Sequence, residues 1–205
     1  RAMSDRCAEA ASTVFYGGRI KGIAEITQRR RQDNMKAGVW QDVDNTIAVI
    51  HSGTSEGHHN GERSTRNVGE SKRCVRIVKY LTTHSNGVYA IEDVGVMAFY
   101  TAQVEQIRDE LRRHKISVAD DKHTGVTVET VDKMQGMQRK IIILSVARSK
   151  PTDSSFLDTK GRLNVAITRQ THGLIVLANL KVVSGDTSKL GQHWHDVIEI
   201  LQRGD

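Results

Sequence analysis

The run VETVDKMQGMQRKIIILSVAR at residues 128–148 decides how the rest of the chain is read. A polar, glycine-bearing stretch, DKMQGMQRK, stands directly against IIIL, one of the most apolar runs in the sequence. A continuous apolar run of this length is expected of a strand covered on both faces, and LIVL at 174–177 repeats the pattern. Helical patterns alternate with such strands, so the chain reads as an α/β domain of three layers, a mostly parallel sheet flanked by helices. Ligands of such sheets collect at the carboxyl ends of strands. DKMQGMQRK follows the strand VTVETV and is expected on that rim. Gly136 then has two readings, a plain turn that needs positive φ or backbone brought close to a ligand.

Working outward, RCAEAASTVFY is helical in composition and stops at Gly17-Gly18. NTIAVIHS reads as a strand, and the polar residues 52–67 as a mobile loop. Asn67 with Glu70 three residues on has the form of a capping box opening a helix through SKRCVRIVKYL. A strand at DVGVMAF, a helix at AQVEQIRDELRRH and the strand GVTVETV follow. KIIILSVA and GLIVLAN bracket a short helix at RLNVAITR, and KLGQHWHDVIEILQR closes the chain as an amphipathic helix anchored by Trp194. No repeat is visible.

With 205 residues the chain suits one domain with a substantial core, and aromatic residues at 4% make that core aliphatic. The formal charge of +6 favours an anionic partner. Cys7 and Cys74 are far apart and give neither a disulfide framework nor a zinc pattern, which fits an intracellular compartment, cytoplasm or nucleus. No apolar run has the roughly 20 residues that span a bilayer, so no membrane partner is expected. RAMSDRCAEA lacks a signal-peptide core, and its abrupt start reads as a cut from a longer protein. His58-His59 and the pair His193 and His195 lack metal-ligand spacing.

Two clusters carry candidate chemistry. Thr130, Asp132, Gln135 and Gly136 combine a glycine backbone with groups that bind phosphate or ribose oxygens. In GRLNVAITRQ, at about 100° per residue, Arg162 and Arg169 share a bearing inside the apolar arc. Helix arginines are ordinarily solvated, but an arginine within an apolar face needs an anionic partner. This bearing holds only if Arg162 lies within the helix.

The stretches ETVDKMQGMQRKIIILSVARS and FLDTKGRLNVAITRQTHGLIVLAN resemble motifs V and VI of superfamily 1 helicases, nearest the up-frameshift and senataxin-like group that translocates 5′ to 3′. DVGVMAFYTAQVEQIRDEL resembles the motif IV region, STRNVGESKRCVRIVKYL the helix before it, and RAMSDRCAEAASTVFYGGRI the segment after the Gln-Tyr-Arg motif, whose arginine would be Arg1. The resemblance implies a second RecA-like motor lobe, with ATP and Mg2+ bound mainly by a first RecA-like lobe of the same protein. This chain has no GxxxxGK[ST] and no acidic pair after an apolar strand, so alone it is expected to be inactive. By the same resemblance Arg169 is the arginine finger and Arg1 a second phosphate contact. Gln135, Gly136, Gln138 and Arg162 join Arg169 near the nucleotide. Tyr100, Gln103, Thr130 and Asp132 lie near single-stranded RNA or DNA, Tyr100 with an equal claim as a buried strand-end aromatic.

The sequence departs from the family where Met137 and Gln138 replace the usual Arg-Glu, where Gln170 and Thr171 follow Arg169, and where Ala98-Phe99 replaces Thr-Pro. A catalytically weakened lobe acting as a nucleic-acid or protein binding scaffold is therefore the alternative expectation.

Overall fold

The computed structural model describes residues 5–19, 40, 46–58, 64–83, 89–120, 123–150, 156–183 and 191–203, and Arg1 lies outside them. In chain order they form α1 (Asp5–Tyr16), β1 (Ile47–His51), β2 (Gly57–His58), β3 (Thr65–Arg66), α2 (Val68–Thr83), β4 (Val94–Ala98), α3 (Thr101–Arg113) and β5 (Thr127–Thr130). Then come β6 (Arg139–Ser145), α4 (Lys160–Ala166), β7 (Gln170–Ala178), α5 (Leu180–Val183) and α6 (Gln192–Gln202). The main sheet has five strands in the order β1-β7-β6-β4-β5, and every neighbouring pair is parallel. Within 52–67 the described residues hold the antiparallel pair β2-β3 and the buried side chains of Ser52, Thr65 and Asn67.

The apolar runs split between two cores as strand alternation requires. Ile142 and Leu144 of β6, with Leu174 and Val176 of β7, face a layer built from α1, α4 and α6. Ile141 and Ile143, with Ile175 and Leu177, face α2 and α3. β6 sits at the centre of the order, and Ile141, Ile142, Ile143 and Leu144 are each 0% exposed. Trp194 ties α6 to the first core, with its ring 5.7 Å from that of Phe99 and its indole N–H donating to the Leu157 carbonyl at 3.0 Å.

Local signals set most element ends. α1 stops at Gly17 and Gly18, with φ of 58° and 78°, and the Gly18 N–H reaches back to the Ser12 carbonyl at 2.8 Å. α6 opens on the Asp158 carboxylate, which accepts from the Trp194 N–H at 3.3 Å and from His193 Nδ1 at 2.9 Å. The helix expected over RLNVAITR is a correction: it ends at Ala166, and Arg169 lies in the turn that enters β7. Sheet pairing wins there, because the Arg139 N–H donates to the Arg169 carbonyl at 3.1 Å and Gln170 already pairs with Arg139. The shared helical bearing of Arg162 and Arg169 therefore has no structural basis.

Candidate functional site

Because β5 and β6 both run parallel to β4, the segment 131–138 must travel from the carboxyl end of one strand to the amino end of the other. It crosses on the α1/α4/α6 side, where Val131 and Met134 are buried in the core and pin it down. The Met134 N–H donates to the Thr130 carbonyl at 3.0 Å and the Met137 N–H to the Met134 carbonyl at 3.1 Å. Gly136 turns the chain with φ 89°, a conformation that disfavours any side chain. A Cβ there would meet nothing within 4 Å, so the turn itself requires the glycine while the space above its backbone stays open. Both readings of Gly136 have physical content: the turn explains the residue, and the open side admits a ligand.

Between this segment and α4 lies a cleft of about 710 Å³, closed on one side by Tyr16 of α1. Asp132, Gln135, Gly136, Arg162 and Arg169 all line it. It reaches from near the carboxyl end of β5 to the amino ends of β6 and β7, and so is not confined to the carboxyl rim. Arg162 Nε donates to both Asp132 oxygens, at 2.9 and 3.2 Å, and its guanidinium carbon stands 4.2 Å from the centre of the Phe156 ring. Asn164 Nδ2 donates to the Tyr16 hydroxyl at 2.8 Å. Arg169 is only 6% exposed, and its Nη2 donates to the Thr168 hydroxyl at 2.9 Å.

The remaining expected residues are dispersed. Gln138 is exposed outside the cleft lining, where its carbonyl accepts from Arg139 Nη1 at 2.7 Å. Thr130 is half-buried at the end of β5. Tyr100, also half-buried, is the N-cap of α3 with its ring 5.5 Å from that of Phe156, and burial raises its phenol pKa. Asp132, expected from sequence both in the phosphate- or ribose-binding cluster and among the strand-facing positions, lines the cleft as the ion-pair partner of Arg162. Gln103 is 0% exposed and cannot touch a strand on the surface.

Gln103 belongs to a buried polar network at the carboxyl end of β6 that the sequence revealed only in part. The Asn67 carboxamide oxygen accepts from the Glu70 N–H at 3.1 Å, which is one half of the expected capping box. The other half is replaced: the Asn67 N–H donates to Gln103 Oε1 at 2.6 Å. Glu70 turns inward and accepts from the Ser145 hydroxyl at 2.6 Å and the Ala147 N–H at 2.9 Å. Ala147 is held at φ 66°, an uncommon conformation for a residue with a Cβ. Burial pushes the Glu70 carboxyl up to about 6, against the pull of those two hydrogen bonds and of Arg73. The available signal was a lone acid in a helix otherwise carrying only basic charge.

A family model described as an AAA domain matches residues 2–181. The probable helicase senataxin of Mus musculus is 30% identical over 139 residues, covering 67% of this chain and 5% of that protein. The ATP-dependent helicase upf1 of Schizosaccharomyces pombe is 28% identical over 197 residues, covering 96% of this chain and 20% of that protein. The chain thus spans a fifth or less of the length of these two relatives. Among solved structures, the C-terminal domain of a possible DNA helicase from Lactobacillus plantarum WCFS1 matches 76% of this chain and 84% of that one, with 10% identity and a TM-score of 0.44.

Proposed function

The chain belongs to the AAA-domain family, within the up-frameshift and senataxin-like group of superfamily 1 helicases, and from that membership we propose that it is the C-terminal motor lobe of an ATP-dependent helicase moving 5′ to 3′ on RNA or RNA/DNA. The observation that carries this reading is the convergence of Gly136, Arg162 and Arg169 on one cleft. Two guanidiniums and an open glycine backbone suit a phosphate anion. ATP, held mainly by the first lobe together with Mg2+, supplies the phosphoryl group whose transfer drives the motor.

Arg169 acts as the arginine finger, and such a residue is worth about 10³ to 10⁵ in rate in comparable phosphoryl-transfer enzymes. Arg162 is kept in place by Asp132, and Arg1 adds a second phosphate contact. Tyr100 and Thr130 contribute to the strand track through contacts with backbone and sugar. Gln103 supports that track from inside by fixing the first turn of α2. The chain alone lacks the Walker elements and does not turn over ATP.

The test is ATPase activity of the full-length parent with and without single-stranded RNA or DNA, paired with unwinding of duplexes bearing a 5′ or a 3′ tail. Stimulated turnover with 5′-tail preference supports the proposal, and opposite polarity removes the directional part. The scaffold reading draws on Met137 and Gln138 standing where the family carries Arg-Glu, and it predicts strand binding without stimulated turnover.

A further inference from the structure

Phe156 is one of the few large apolar side chains left well exposed among the described residues, at 38%, and it is a member of neither core. Its ring bridges two elements instead. On one side stands Tyr100, the N-cap of α3, with centroids 5.5 Å apart and planes inclined by 31°. On the other stands Arg162 of α4, whose guanidinium carbon lies 4.2 Å from the ring centre. Arg162 in turn holds Asp132 at 2.9 Å in the cleft that Arg169 also lines. Contacts therefore run without a break from Tyr100, beside the carboxyl end of β4, through Phe156 and Arg162 to Asp132.

We propose that Phe156 is a positioning residue that couples strand binding at Tyr100 to the placement of Arg162 in the nucleotide cleft, a claim that rests on the motor reading above. The ring has the two properties this needs. Its face attracts a guanidinium electrostatically, so Arg162 follows the ring when it tilts. Its position at the surface, outside the close-packed cores, leaves it room to move when a strand displaces Tyr100. Coupling of this kind is reciprocal: whatever factor the nucleotide adds to strand affinity, the strand adds to nucleotide affinity.

That reciprocity supplies the test in the full-length parent. The dissociation constant for a single-stranded RNA or DNA oligonucleotide is measured with and without a non-hydrolysable ATP analogue, for wild type, Phe156→Leu and Phe156→Trp. Leucine keeps apolar bulk and removes the aromatic face, whereas tryptophan keeps the face. The expected result is unchanged strand affinity without nucleotide in all three proteins. The nucleotide-dependent ratio then shrinks about 2- to 5-fold in Phe156→Leu, as for loss of one exposed cation–π contact, and is kept in Phe156→Trp. A ratio in Phe156→Leu equal to wild type overturns the coupling role and leaves the motor reading standing. If strand affinity in wild type does not respond to the nucleotide at all, the motor reading fails and the coupling falls with it.

Discussion

Glu70 and Gly136 show how much single residues decide here. Burial raises the Glu70 carboxyl to about 6, so the folded protein binds that proton more tightly than the unfolded chain does. Its contribution to stability is accordingly complete below the ordinary carboxylate value and is lost as pH rises to about 6, a loss of about 2 kcal/mol. In urea unfolding of the chain as a function of pH, wild type should lose that increment between about pH 4.5 and 6 relative to Glu70→Gln. Parallel pH profiles would mean that the carboxyl is not held as described. Gly136→Ala places a Cβ on a backbone at φ 89° with open space around it, so only conformational cost remains, about 1 to 2 kcal/mol by the same unfolding measurement. Gly136 was legible because a glycine amid polar residues beside IIIL has few uses. The inward turn of Glu70 was not, because Ser145 and Ala147 lie 75 and 77 positions away in sequence.

At the scale of elements, the first turn of α2 depends on residues that local propensity does not see. Asn67 accepts from the Glu70 N–H, donates to the Ala147 carbonyl at 3.3 Å, and presents its own N–H to Gln103. Asn67→Ala removes the cap and leaves the buried Ala147 carbonyl, together with the half-buried hydroxyl and carbonyl of Thr54 that bond the Asn67 carboxamide at 2.8 and 3.2 Å, short of partners, which should cost about 2 to 3 kcal/mol in denaturant unfolding. A change below about 0.5 kcal/mol would show that water or a neighbour replaces the carboxamide. The positions of the strands and longer helices were readable from apolar periodicity, since β6 and β7 are buried on both faces. The extent of α4 was not: NVAITR is apolar at helical spacing, yet β7 begins three residues earlier than GLIVLAN indicates, because Gln170 pairs with Arg139. Register between distant strands settled that boundary.

For the whole molecule, a sheet of five parallel strands between two helical layers places the cleft on the α1/α4/α6 side. Leu144→Ala in its central strand opens a cavity in a fully buried position and should cost about 2 to 5 kcal/mol. The three-layer plan was legible from continuous apolar strands alternating with helices. The cleft's position was only half legible, because the carboxyl-end rule does not anticipate a helix-free crossover that carries Gly136 down the sheet toward Arg169. The role proposed for Arg169 is to serve a phosphate of ATP bound chiefly by another lobe. Its most direct test is single-turnover ATP hydrolysis by the strand-bound, full-length parent, wild type against Arg169→Ala, with ATP saturating for both. A fall of about 10³-fold or more in the hydrolysis rate, with nucleotide still bound, is the predicted result; hydrolysis at the wild-type rate would contradict it.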